Sequence, residues 1–304
     1  MKRVIKRILQ VVGVLLLLGA IGMGSFVYMQ TSAFDAGMDK VYDVPVSTIA
    51  RSTDPAVLAR GKHLAEAVWP CLASKCHGSD LGGGEPILFG PLGTVAGSNI
   101  SANGLGAAYS DGELARVLKH GIKKDGRSLR FMPSQDMSWM PDADIVAIVS
   151  YLRTMPGVDK LNGQTEVKTL AKVLDRRDQF AMDVARRIDH QKTEVVPAPE
   201  PTATYGGFLA RLCTGCHGDH LSGGRMPGTP SSFPIPANLT FHPTGLAGYT
   251  YEDFDKVLVQ GTKKDGGKLD KFMPVEAFGK MDEIEKRALY EYLKTLPPTQ
   301  LGNR

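Results

Sequence analysis

Cys213-Thr214-Gly215-Cys216-His217 is the stretch on which the reading of this chain turns. Two thiols three positions apart, with an imidazole directly after the second, make the C-x-x-C-H pattern of covalent haem attachment. Chemistry sets that spacing. Two thiols reach two vinyl groups on one porphyrin edge, and the histidine behind the second thiol is carried beneath the iron as an axial ligand. A zinc half-site wants a second ligand pair, and residues 203–299 offer none. A redox dithiol wants a βαβ surrounding.

Upstream, Cys71-Leu72-Ala73-Ser74-Lys75-Cys76-His77 repeats the theme with four residues between the cysteines instead of two. The vinyl separation is fixed, so the extra residues must bulge outward if Cys71 and Cys76 both bond. Ala73 stands where the first cysteine would usually be, so attachment through Cys76 alone is the other option. The likeness continues downstream of both motifs. Asn99-Ile100-Ser101 matches Asn238-Leu239-Thr240, and Lys123-Lys124-Asp125-Gly126 matches Lys263-Lys264-Asp265-Gly266. Phe131-Met132-Pro133 matches Phe272-Met273-Pro274, and Tyr151-Leu152 matches Tyr292-Leu293, all at an offset of 139–141 residues. Two copies are too few for a solenoid, so the pattern predicts an all-α tandem of two domains, residues 55–157 and 203–299, joined by a linker at 158–202. In each copy a capping box (Ser110 with Glu113, Thr250 with Asp253) should open a helix that ends at Gly121 or Gly261. A second helix, with Ile145, Ile148, Val149 and Leu152 on its buried face in the first copy, should close each one.

Met132 and Met273 are the candidate sixth ligands. They lie 55 and 56 residues after His77 and His217, and each precedes a proline that holds the local backbone extended. Met140 and Met281 also coincide across the repeat and are the fallback. His63, His120, His190, His220 and His242 lack histidine counterparts in the other copy, which disfavours bis-histidine ligation. Asn99 and Asn238 are weaker candidates, as donors to haem propionates. Gly82, Gly83, Gly223 and Gly224 are either turn residues or positions where backbone passes close to the haem edge.

Residues 1–30 read as a membrane anchor. Lys2, Arg3, Lys6 and Arg7 precede 22 residues, Ile8 to Met29, without a charge. That length spans a hydrocarbon core as a helix, and the basic flank should stay cytoplasmic. A cleaved signal peptide usually has a shorter apolar region, so an uncleaved anchor with a tether at 31–54 is expected. The chain of 304 residues, 42% apolar and 22% charged, carries a net charge of +4, and the four basic residues near its start account for that excess. No basic stripe with interleaved aromatics is present, which removes nucleic acid from the partners.

The quoted residues resemble the class I cytochrome c family, in particular the cytochrome c subunits of periplasmic alcohol, aldehyde and gluconate dehydrogenases. The resemblance covers about 200 of the 304 residues. It implies a small helical fold around each of two covalently bound haem c groups, with His77 or His217 on one side and Met132 or Met273 on the other. The chain departs from those subunits in having two haem motifs instead of three, an N-terminal instead of a C-terminal anchor, and the longer first motif. The expected function is electron transfer on the periplasmic side of an inner membrane, without catalysis. The donor would be a dehydrogenase or quinol-oxidising complex, and the acceptor an oxidase or soluble carrier. The alternative is a dihaem enzyme of the peroxidase or thiosulfate-oxidising type. It needs an open iron position, which a Met-Pro in both copies argues against. A haem-based sensor would need an output domain, and none is legible.

Overall fold

The computed structural model describes residues 2–161, 163–192 and 195–304. Its elements run α1 (Lys2–Asp39), α2 (Pro55–His63), β1 (Ile87–Leu88), β2 (Gly93–Val95), α3 (Leu105–Ala108), α4 (Asp111–His120), α5 (Ser134–Met137), α6 (Asp142–Leu152), β3 (Glu166–Val167), α7 (Thr169–Arg176), α8 (Ala203–His217), α9 (Tyr251–Gln260), α10 (Val275–Phe278) and α11 (Glu283–Thr295). The chain is mostly helical, as its periodicity implied. The exception is a small antiparallel sheet in the order β1-β2-β3. It forms because the Gly/Pro-rich loop after the first motif folds back as a hairpin and takes a third strand from the linker, Thr94 pairing with Glu166.

The helix signals legible in the sequence are met. Ser110 and Glu113 form a reciprocal capping box at the start of α4, as Thr250 and Asp253 do for α9. Each helix then stops at a left-handed glycine, Gly121 at φ 62° and Gly261 at φ 59°. Helices α2, α4, α5 and α6 are matched in order by α8, α9, α10 and α11. In each set the first helix crosses the last. The crossings depend on Gly61 and Gly206. A Cβ on Gly61 would fall well under 3.0 Å from the Ala147 carbonyl oxygen, and one on Gly206 would do the same at Ala288. Backbone therefore touches backbone at both crossings.

The two repeats are not separate cores. One buried cluster holds Trp69, Trp139 and Ile148 together with Tyr205, Leu209 and Leu289. Trp139 meets Phe208 edge-on with ring centroids 3.9 Å apart. Around that seam His63 Nε2 lies 2.9 Å from the buried carboxylate of Glu285, and Lys280 reaches Glu66 at 3.1 Å.

Helix α1 is long and apolar enough to cross a membrane, and its apolar stretch is exposed. It does not end where the expected tether begins at residue 31. The helix continues to Asp39, and Phe34 and Met38 are buried against the rest of the protein. The physical reason is that those two side chains, four apart, present one apolar face to α7, whose Lys172 also pairs with Asp35 at 2.7 Å. The middle of the linker is helical only over α7 and a short 3-10 turn, Ala185–Arg187.

Candidate haem sites

The second motif sits on the last turn of α8. Cys213, Cys216 and His217 occupy positions i, i+3 and i+4, so all three side chains leave the same face. They open into a cavity of about 970 Å³ that Met273 also lines. That volume is at the upper end for a small-molecule site. The remaining wall is largely apolar, with Leu212, Leu246, Phe254 and Leu289 among its residues. Met281 lines it too, but is only 5% exposed and belongs to the core.

The first motif is presented differently. Gly61 precedes His77 by sixteen residues, whereas Gly206 precedes His217 by eleven. The added length appears as a π-helical turn, Leu64–Val68, after which Trp69-Pro70 takes the chain out of the helix. Residues 71–77 then form successive turns. Cys76 N–H donates to Ala73 O at 2.9 Å and His77 N–H to Cys71 O at 3.0 Å, which brings the ends of the motif back together. Among the residues between the cysteines Ser74 is exposed and Ala73 buried, and Lys75 pairs with Glu85 at 2.6 Å.

The strongest agreement between the two sites lies behind the imidazoles. His77 Nδ1 is 2.8 Å from Ser98 O, and His217 Nδ1 is 2.7 Å from Ala237 O. A carbonyl only accepts, so each Nδ1 carries the proton and each Nε2 is left with its lone pair. That is the arrangement of a metal-ligating histidine whose ring is fixed from behind. Burial lowers both imidazole pKa values and keeps the rings neutral, opposed by the same carbonyl hydrogen bonds.

Burial acts on the thiols in one direction. Burial pushes Cys71 and Cys213 up to about 12 and Cys76 up to about 11. Redox-active and metal-binding cysteines sit where the thiolate is favoured, which is the opposite environment. Cys213 and Cys216 line the apolar cavity of the second site. Cys71 and Cys76 lie close enough for the charge of Cys76 to help raise Cys71.

A scan against protein-family models finds no match. Known proteins do match over part of the chain. The cytochrome subunit of fructose dehydrogenase from Gluconobacter japonicus is 33% identical over 115 residues, 34% of this chain and 24% of that protein. The cytochrome c subunit of a quinone-type alcohol dehydrogenase from Gluconacetobacter polyoxogenes is 35% identical over 94 residues, covering 29% and 20%. The cytochrome c subunit of gluconate 2-dehydrogenase from Pantoea cypripedii is 33% identical over 94 residues, covering 29% and 21%. This chain resembles those cytochrome c subunits. The matched stretch spans a quarter or less of each relative's length. Cytochrome c relatives imply covalently bound haem c, and the residues lining the second cavity fit that group by size, polarity and donor set.

One expectation for the haem surroundings is corrected. Asn99 and Asn238 are not donors to propionates. Both Nδ2 hydrogens of Asn99 go to Val158 O and Lys160 O, and those of Asn238 go to Thr244 Oγ1 and Thr299 O. Each Oδ1 accepts from the residue two positions on, Ser101 or Thr240. These buried amides tie the C-terminal end of each repeat to its middle. Their signal was in the Asn-x-Ser/Thr spacing, which is that of a side chain closing its own turn. The structure places Met132 half-buried against the core, directly before Pro133, and leaves Met140 at 1% exposure inside it. His120 and His190 meet each other across 3.2 Å between Nδ1 atoms.

Proposed function

We propose that this chain is a membrane-anchored dihaem c-type cytochrome, with two tandem class I domains and soluble parts on the periplasmic side of the inner membrane. It carries electrons from a dehydrogenase or quinol-oxidising complex to an oxidase or soluble carrier. The single observation that supports it most is the matched pair of imidazoles, each with Nδ1 tied to a carbonyl and Nε2 free, one in each repeat. When bound, haem supplies a one-electron ferrous–ferric couple. Everything else is done by the chain. Cys213 and Cys216, with Cys71 and Cys76 in the first repeat, hold the group covalently. His77 and His217 would ligate through Nε2, with Nδ1 tied to its carbonyl. Met132 and Met273 would supply thioether sulfur as the further ligand, and Met/His ligation tends to raise the reduction potential. The apolar wall of the second cavity excludes water, which favours the less charged ferrous form.

Membrane attachment rests on the exposed apolar stretch of α1 and its basic start. Dehydrogenase partnership rests on the relatives, which are named as dehydrogenase subunits. Carbon monoxide tests the carrier reading against an enzyme with an open iron position. Two sulfur-closed sites predict slow, sub-stoichiometric binding to the reduced protein, and rapid binding at one haem would favour catalysis.

A further inference from the structure

Two features of the first repeat go unexplained by haem ligation alone. Phe131, directly before Met132, holds a left-handed backbone at φ 65°. Bulky side chains adopt that conformation only where their surroundings impose it. The other feature is the end of α1, whose residues beyond the apolar stretch pack into the fold instead of tethering it.

Both features meet in one aromatic wall. Phe131 stacks obliquely on Phe89 with centroids 5.4 Å apart, Phe89 lies 5.2 Å from Phe233, and Phe233 lies 4.8 Å from Phe272. The series starts at the residue before Met132 and finishes at the residue before Met273. Phe34 and Met38, 2% and 8% exposed, belong to the same buried cluster, along with Phe180 and Met182. The α1 end is fixed there by Asp35 on Lys172, and by Gly37, where a Cβ would fall 2.6 Å from the Asp183 carboxylate. The backbone of Asp183 pairs with that of Arg130 in an isolated antiparallel β-bridge, and Phe131 N–H donates to Met182 O at 3.3 Å. A continuous packed route thus leads from α1 through residues 180–183 to the loop carrying Met132.

The second repeat touches the same wall through Phe272 but holds its turn differently. Phe272 keeps an ordinary backbone, and its N–H donates to the Asp270 carboxylate at 2.8 Å. Its backbone is therefore held by a neighbour two residues away, whereas that of Phe131 is held by Met182, 51 residues on.

We infer that Phe34 and Met38 are positioning residues for the first haem site: the end of α1 clamps the strained Phe131 turn and so holds Met132 as a ligand, while Met273 needs no such clamp. This rests on the sulfur ligation proposed above. It makes the membrane helix part of the redox site, since displacing its end would loosen one axial ligand and leave the other in place.

The test uses the full-length, haem-loaded chain in detergent, comparing wild type with the double variant Phe34→Ala, Met38→Ala. The ferric methionine–iron absorption in the far red counts sulfur-ligated haems, and carbon monoxide binding to the ferrous form counts open ones. The clamp predicts loss of about half of the far-red band, rapid carbon monoxide binding at one haem of two, and a fall in only one of the two potentials. Phe34→Leu, which keeps apolar bulk, should retain the band. Phe131→Asn, which accepts the backbone conformation but removes the ring, should behave like the double variant. An unchanged band in the double variant overturns the clamp, as does equal loss at both haems, the signature of general loosening. A wild-type chain with no such band overturns sulfur ligation itself, and the clamp with it.

Discussion

Replacing Gly206 by alanine separates helix propensity from packing, because the two predict opposite signs. In a helix interior alanine is favoured over glycine by about 1 kcal/mol, so α8 considered alone should gain stability. At Gly206 the added methyl would sit well under 3.0 Å from the Ala288 carbonyl oxygen and within the same limit of its carbon. Those atoms are backbone of α11 and cannot rotate away, so the α8–α11 crossing must open. Overpacking of this kind costs about 1–3 kcal/mol, enough to cancel the propensity gain and leave a net loss of up to about 2 kcal/mol. Gly215 provides the control within the same helix, where an added Cβ meets nothing nearer than Asp136 Oδ2 at 4.0 Å. Gly215→Ala should be neutral or stabilising by up to about 1 kcal/mol. Guanidinium melts of the haem-loaded, detergent-solubilised chain, followed by helix circular dichroism and Soret absorbance, give both values. If Gly206→Ala proves as stable as Gly215→Ala, the backbone-to-backbone crossing is wrong.

Two further outcomes follow from the seam and the second site. The hydrogen bond from His63 to Glu285 raises the His63 pKa against the opposing effect of burial. The ion pair therefore contributes fully below the unfolded value of about 6.5 and is lost as pH rises through the raised folded value. His63→Ala should cost about 1.5–3 kcal/mol at pH 6 and less at pH 9, and a penalty that grows with pH would refute the assignment. Met273→Ala should abolish sulfur ligation at the second haem while leaving it at the first. Met281→Ala, a core truncation, should destabilise by about 2–5 kcal/mol yet keep the methionine–iron absorption of both haems.

What could be read from the sequence was local. The capping boxes and the left-handed glycines each depend on residues within a few positions of one another, and each appears where the spacing placed it. The repeat gave the matching helices, because the same local signals recur in the same order. What could not be read depends on long-range contact. Gly61 and Gly206 are unremarkable letters inside helical stretches, and only the crossing with Ala147 and Ala288 shows why a side chain is excluded. The shared core arises because Trp139 and Phe208, 69 residues apart, face each other. The end of α1 looked like a tether because its apolar face is only Phe34 and Met38, too short a pattern to register. The departure of the first motif from its helix follows from the added residues before His77, which the altered cysteine spacing signalled only in part.

The central claim is that two imidazoles and two methionine sulfurs each grip a covalently held iron porphyrin. A pyridine haemochrome assay on correctly matured full-length chain, combined with intact-protein mass spectrometry, tests it most directly. The account predicts two haem c groups per chain that survive denaturation, one on residues 71–77 and one on residues 213–217. A colourless chain, or a mass showing no added porphyrin, would contradict it.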